Sequence, residues 1–341
     1  MPSTLPRHPV QHYTEMTVSQ LEPDDLLPAR ERIAGKILAT PVMRSEIIDE
    51  QLGCQVYFKC EQLQVTGSFK IRGASHAVSL LDEACPGVAT HSSGNHGAAL
   101  AKAAQARGLP AHVVMPETAV RSKVEAVRRF GGTVHFCEPT QAAREAGLRA
   151  LVDEGFEPVP PYDDDRIIAG QGSCAMELLE QVSDLDVLIA PVGGGGLLAG
   201  SALAAARSPR EIRVIGAEPA GADDTKRSLR SGQRVDRHEP DTIADGLRAL
   251  VGLRNLSLMQ RFQVEVITVD EEQILEAMTL TWTHLKQVIE PSGAVALAAL
   301  QLAARSNPEA WSAKRVGVIL SGGNLDIQPM IETLRPTGAS E

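Results

Sequence analysis

The sequence predicts an α/β protein built on mostly parallel sheet, and three observations carry that expectation. Short β-rich runs alternate with alanine-rich helical stretches through most of the 341 residues, as repeated βαβ units require. Runs such as VLIAPV at 187–192 are apolar throughout, which fits strands covered on both faces by helices. Glycine-rich turns at 193–196 and 322–323 stand where a strand gives way to the next element.

Taken in order, VYFK at 56–59 reads as the first strand and 75–81 as the start of a helix. The alternation then repeats: strand 87–91, helix 97–107, strand 111–115, helix 122–130, strand 133–137, helix 141–153. Three prolines (Pro158, Pro160, Pro161) and an acidic cluster (Asp163, Asp164, Asp165) interrupt the pattern at 156–165, a natural domain boundary. A second series follows with helix 172–181, strand 187–191, helix 197–206 and strand 213–217. The polar stretch 221–241 reads as a surface excursion. Strands at 264–269 and 315–320 and helices at 271–285 and 292–304 complete the pattern.

Composition narrows the function. Apolar residues make up 43% and charged residues 22%, enough for a sizeable core and too apolar for a disordered chain. The length suits roughly two domains. A net charge of −10, with no basic run, argues against nucleic acid and against an anionic membrane surface. No apolar stretch approaches the ~20 residues of a membrane helix, and the first sixteen residues lack the apolar core of a secretion signal. Five cysteines, with no CxxC pair, exclude a disulfide framework or zinc knuckle and point to a reducing, cytoplasmic setting.

Four segments carry chemistry. VGGGGLLAG at 192–200 follows an apolar strand and opens a helix, leaving bare amides at a helix N-terminus that suit a phosphate. No Lys-Ser or Lys-Thr follows, so it is not a Walker loop. Gly194, Gly196 and Ala199 also fit a dinucleotide fingerprint, with Glu218 about where a ribose-binding acid belongs. That leaves an NAD-dependent dehydrogenase as a competing reading. In TGSFKIRGA (66–74), Lys70 sits in a small-residue turn between Phe69 and Ile71; a partly buried amine there loses basicity and can form imines. HSSGNHG at 91–97 offers amides, hydroxyls and Asn95 to a carboxylate or phenolate oxygen. LSGGN at 320–324 places one hydroxyl, Ser321, at a strand end.

Together with AGQG (169–172), AEPAGADD (217–224) and TIADG (242–246), these motifs occur in one order, and over residues 27–326 the sequence resembles the fold-type II pyridoxal phosphate enzymes. The similarity lies with the branch of serine/threonine dehydratases, serine racemase and threo-3-hydroxyaspartate dehydratase. The resemblance implies a tryptophan synthase β-like fold of two open, twisted, mostly parallel sheets with flanking helices. It implies a cofactor cleft between a large domain (1–76 plus 158–341) and a small mobile domain (77–157), and a homodimer.

The resemblance also assigns roles. Lys70 carries the cofactor as an imine and acts as base on the substrate Cα proton, with Phe69 packed against the ring. Asn95 bonds the ring hydroxyl; Gly193, Gly194, Gly195 and Gly196 hold the phosphate; Ser321 faces the pyridine nitrogen, a neutral partner that favours β-elimination over transamination. Ser92, Ser93 and Gly94, with Asn95, hold the substrate carboxylate, and the Ser93 hydroxyl can exchange a proton on the face opposite Lys70. Glu218, Asp224 and the Ala222 carbonyl resemble a divalent-cation site of hard oxygen donors, suited to Mg²⁺ or Ca²⁺. The implied activity is elimination of ammonia from a small β-hydroxy amino acid, of serine, threonine or 3-hydroxyaspartate type, to give a 2-oxo acid. A serine racemase-like enzyme with side dehydratase activity is the alternative; a binding module that has lost catalysis is disfavoured because Lys70 is present. Two departures stand out: Ala98 replaces the glutamine that follows this motif in the racemases, where nucleotide activation operates, and IEPSGA at 289–294 differs from the usual IEPTGA or IEPTAG.

Overall fold

The computed structural model describes residues 18–92, 94–328 and 330. Its strands are β1 (Val42–Met43), β2 (Gln55–Cys60), β3 (Val88–His91), β4 (Ala111–Pro116), β5 (Thr133–Cys137), β6 (Glu157–Pro158), β7 (Val187–Pro191), β8 (Arg213–Pro219), β9 (Glu265–Val269) and β10 (Arg315–Leu320). Its α-helices are α1 (Leu26–Ile33), α2 (Glu46–Leu52), α3 (Lys70–Ser79), α4 (Asn95–Ala106), α5 (Arg121–Arg129), α6 (Gln141–Asp153), α7 (Asp165–Gln181), α8 (Gly196–Ala206), α9 (Asp224–Ser231), α10 (Leu253–Arg261), α11 (Glu271–Leu280), α12 (Pro291–Ser306) and α13 (Pro308–Trp311). Among the described residues no helix is long and apolar enough to cross a membrane.

Two sheets organise the chain: a six-stranded one ordered β1-β2-β10-β7-β8-β9 and a four-stranded one ordered β5-β4-β3-β6. The β1–β2 pair is antiparallel and the other pairs are parallel. The continuous apolar runs read from the sequence are the buried centre of the large sheet. On one face α12 packs Val295, Leu297 and Leu300 against Phe58, Ile189, Ile215 and Val318. On the other, α7 and α8 set Ile168, Leu178, Leu198 and Leu203 against Leu188, Ala190 and Ile319. These two helices approach closely because Gly172 and Gly200 face each other; a Cβ on Gly200 would lie 2.6 Å from the Gly172 nitrogen. In the small sheet Val113 and Met115 pack with α4 and α5, while Ala89 and Val114 pack with Leu151 of α6. Helix α3 joins the two units: Ile71, Ala74 and Val78 share a cluster with α4 and with Ile167 of α7.

Several elements differ from the sequence reading. Helices α1, α2 and α10 were not expected, and α3 starts at Lys70 and not at 75, so that Lys70 is the first residue of a helix and not part of a turn. Helix α7 starts at Asp165, seven residues before the expected 172, because the Asp164 carboxylate caps it by accepting the Arg166 amide at 2.8 Å. The helix expected over 271–285 is α-helical only to Leu280. It continues as a π-turn over Thr281–Leu285 that ends at Lys286 with φ 58°. The stretch 221–241 is only partly a surface excursion, since α9 lies within it and buries Asp224, Thr225 and Ser228. Charge and hydroxyl content suggested solvent there. Instead Asp224 accepts the Val251 amide and Ser228 donates to the Asp224 carbonyl, while one Asp224 oxygen and the Thr225 hydroxyl are buried without a hydrogen-bond partner.

Candidate active site

The functional segments follow the carboxyl ends of parallel strands, where α/β sheets leave a crevice. Lys70 opens α3. The turn before it is stitched to the one after β10: Ser68 bridges Gly322, and the Phe69 amide donates to the Ser321 carbonyl at 3.0 Å. The Lys70 ammonium donates to the Pro161 carbonyl at 2.8 Å and lies 5.0 Å from the Phe69 ring centre. Loss of water around it brings its pKa down from 10.5 to about 8.

Behind Lys70, a closed ionic set anchors α3. Arg72, fully buried, donates to both Glu61 oxygens at 2.7 Å and to Glu177 at 2.7 and 2.8 Å, and Lys59 reaches Glu177 at 2.9 Å.

The glycine turn leaves β7 and enters α8. Gly193 (φ 55°) and Gly195 (φ 94°) occupy left-handed backbone, and the Gly195 amide closes the turn onto the Val192 carbonyl at 3.1 Å. A Cβ on Gly194 would strike the Tyr162 ring. The first amides of α8 have no carbonyl within the helix to pair with, so the helix presents donors and the positive end of its dipole.

Asn95 opens α4. Its side-chain amide donates to Glu290 at 2.7 Å and its carbonyl accepts from Asn324 at 3.0 Å. Glu290 is 2% exposed. Burial, reinforced by the Asp245 charge and opposed by Lys123 and by the Asn95 hydrogen bond, pushes its pKa to about 7. Ser321, at the end of β10, is buried and donates to the Ser292 carbonyl at 3.4 Å. Ser92 and Gly94 line the turn after β3, the Gly94 amide donating to the Ser92 hydroxyl at 3.3 Å. Ser93 lies outside the described residues. His96, beside them, is held neutral by burial and by the Lys70 charge, its pKa about 3.

The acidic segment forms a separate buried pocket at the end of β8. Glu218 accepts the Thr225 amide at 3.1 Å and the Lys226 amide at 3.0 Å. Asp224 accepts the Val251 amide at 2.8 Å, and its other oxygen lies 3.5 Å from His238. Burial, with Asp224 adding to it, pushes Glu218 to about 8, and burial also raises Asp224. Among the described residues no group of three or more His, Cys, Asp and Glu is placed to hold a metal ion. Glu218 is 1% exposed beneath the start of α9 and is not presented to a nucleotide, which weakens the local support for the dehydrogenase reading.

The family model described as pyridoxal-phosphate dependent enzyme matches residues 33–322. The chain belongs to the pyridoxal-phosphate-dependent enzymes. It is 46% identical over 312 residues to the β-hydroxyaspartate dehydratase of Paracoccus denitrificans, covering 90% of this chain and 97% of that one. Its fold matches maize serine racemase with a TM-score of 0.88 at 41% identity, over 92% of this chain and 96% of that one. It matches a threonine deaminase from T.th. with a TM-score of 0.84 at 41% identity, over 90% and 99% of the two chains. The protein is therefore a fold-type II enzyme of the dehydratase and racemase branch, and a lyase reaction is within its family's chemistry.

The residues present fit pyridoxal phosphate. A neutralisable amine, a glycine turn in which a side chain would clash, and a hydroxyl follow the adjacent strands β2, β7 and β10. Sequence reading missed Pro161, Tyr162, Glu290, Asn324 and His238. Glu290 and Asn324 lay inside IEPSGA and LSGGN without a role of their own, Pro161 was read only as a break in the pattern, and no local pattern marks Tyr162 or His238, which the fold brings in from separate segments.

Proposed function

We propose that this enzyme dehydrates a β-hydroxy amino acid of the 3-hydroxyaspartate type, releasing a 2-oxo acid and ammonia. The observation that carries the reading is Lys70: a half-buried amine with lowered basicity, held on the Pro161 carbonyl, whose neighbour Tyr162 lies against Gly194 of the glycine turn. Bound in the cleft, pyridoxal phosphate supplies an electron sink for the substrate Cα. Lys70 holds it and takes the Cα proton; Phe69 packs on its ring; Gly193, Gly194, Gly195 and Gly196 hold its phosphate; Asn95 addresses its hydroxyl, and Ser321 its ring nitrogen. Ser92, Ser93 and Gly94 bind the substrate carboxylate. The β-hydroxyl departs as water, and the released enamine hydrolyses to the 2-oxo acid and ammonia.

Arg144 supports a second carboxylate on the substrate. It stands in the first turn of α6, its Nε is buried with no partner, and its charge, after burial, lowers the pKa of His91 at the end of β3. A substrate carboxylate would satisfy that guanidinium. The Paracoccus relative, named for β-hydroxyaspartate, agrees with this. The racemase relatives and Ser93 favour racemisation as a side reaction. Glu218, Asp224 and the Ala222 carbonyl hold Mg²⁺ or Ca²⁺ in this reading, since a cation relieves two buried carboxylates. Exposed Leu63 and Val288, on segments joined by the Gln62–Gln287 hydrogen bond, suit a homodimer face. Residues 77–157 act as a small mobile domain on a frame of 1–76 plus 158–341. The five free cysteines fit a cytoplasmic enzyme.

A substrate panel scored by 2-oxo acid release tests the activity. Hydroxyaspartate turnover should exceed serine and threonine turnover at least tenfold in kcat/KM, and Arg144→Leu should remove that preference. Release from none of the β-hydroxy amino acids would overturn the reading. Ser93→Ala should keep dehydration of the isomer deprotonated by Lys70 and cut racemisation tenfold or more, a loss of ~1.4 kcal/mol in transition-state stabilisation; equal racemisation would confine Ser93 to carboxylate binding.

A further inference from the structure

We propose that Asn255 is the positioning residue that sets the spacing between Lys70 and the phosphate cradle. The proposal rests on the cofactor, which family membership gives, and is independent of the substrate. The sequence Gly252-Leu253-Arg254-Asn255 opens α10. A polar residue in the first turn of a helix usually turns back on the helix's own free amides. Here a residue from another segment does that work: Asp163 accepts the Leu253 amide at 3.1 Å and the Arg254 amide at 3.0 Å. Asn255 is left free to point away from its helix, and it is fully buried.

Its side-chain NH₂ reaches two carbonyls, Gly194 at 2.7 Å and Tyr162 at 3.3 Å, while its own oxygen is buried with no partner. A buried amide that leaves its acceptor unpaired is a poor choice for core stability; the arrangement makes sense for what the two donors hold. The Gly194 carbonyl also accepts from the Gly252 amide at 3.0 Å. Across a trans peptide the Gly194 carbonyl and the Gly195 amide point in opposite directions. The carbonyl is tied to α10 and the amide to Val192, so this peptide plane cannot turn. The first turn of α8, with its free amides, is fixed with it.

The second donor acts on the other end of the cofactor. Tyr162 follows Pro161, whose carbonyl holds the Lys70 amine at 2.8 Å, and the Tyr162 ring covers Gly194. One amide group thus joins the strap that holds the lysine to the turn that holds the phosphate. Pyridoxal phosphate must satisfy both ends at once, and a misplacement of about an ångström between them is costly.

The test compares two aldehydes on the apoenzyme: pyridoxal phosphate, which needs both ends, and pyridoxal, which has no phosphate and needs only the lysine. Asn255→Leu keeps the volume and removes both donors; Asn255→Asp keeps the shape and turns acceptors toward the two carbonyls. Both variants should weaken pyridoxal phosphate at least tenfold in Kd, ~1.4 kcal/mol, while pyridoxal affinity stays within about twofold. The ³¹P resonance of the bound phosphate should shift. Equal weakening for both aldehydes would make Asn255 an ordinary core residue and overturn the proposal, as would an unchanged phosphate affinity. If neither variant folds, Asn255→Ser, smaller and still polar, carries the same comparison. Loss of hydroxyaspartate turnover in the wild-type enzyme would sink the substrate reading and leave these affinities untouched.

Discussion

A lysine amine enclosed by protein loses the water that stabilises its charge, and at Lys70 this leaves a pKa of about 8. Only the neutral amine attacks an aldehyde, so capture of pyridoxal phosphate by apoenzyme should quicken about tenfold per pH unit up to roughly pH 8 and then level. Stopped-flow absorbance checks this, and Lys70→Ala should abolish capture and turnover while leaving the circular dichroism unchanged. Glu290 works in the opposite sense. Its carboxyl is raised to about 7 in the folded chain from an ordinary 4.5, so over that interval the folded state binds more protons than the unfolded one. Its contribution to stability is therefore present below pH 4.5 and is lost as pH rises through 7. Glu290→Gln should flatten this slope in denaturant melts taken between pH 5 and 7.5.

At the scale of elements, the turn from β7 to α8 has no room for a side chain at Gly194. Gly194→Ala would drive a methyl group into the Tyr162 ring, forcing the turn off α10. We expect at least a tenfold loss of pyridoxal phosphate affinity with an unchanged fold, read by titration of the apoenzyme. The start of α9 offers a second test. Glu218 and Asp224 crowd two carboxylates into a pocket where burial opposes charge, and a bound cation stabilises the folded state by mass action. Millimolar Mg²⁺ or Ca²⁺ should raise Tm by several degrees after chelator treatment, and Glu218→Gln should abolish the rise. A Tm indifferent to both ions would leave the pair as a helix cap.

Across the whole molecule, polar ties join the small sheet's helices to the large unit at the cleft. Lys123 of α5 pairs with Asp245, and Asn95 at the head of α4 bonds both Glu290 and Asn324. Lys123 is 8% exposed while Asp245 is open to solvent, so the pair satisfies an ammonium that would otherwise be buried alone. Lys123→Met should loosen the small unit over the cleft. The expected outcome is faster hydrogen exchange in α4 and α5 and a KM raised several-fold, with cofactor affinity unchanged.

The sequence by itself determined the class of this protein. Apolar strands alternating with alanine-rich helices dictate buried parallel sheet, because such strands need cover on both faces. The motifs around Lys70, Asn95, Gly193–Gly196 and Ser321 stood out in the sequence because each is a short run of small and polar residues between a strand and the start of the next helix or loop. What depends on distant segments was not legible. No local pattern in 251–263 marks Asn255 as a brace for Gly194, or Tyr162 as the ring that requires a glycine there. Nor could the acidic content of 221–241 reveal that Asp224 is buried beneath Val251 and His238. Those relations come from packing α10, the 160–163 strap and α9 against the strand ends. Burial, more than residue type, then decides which charges are held, which are neutralised and which side chains are free to position a ligand.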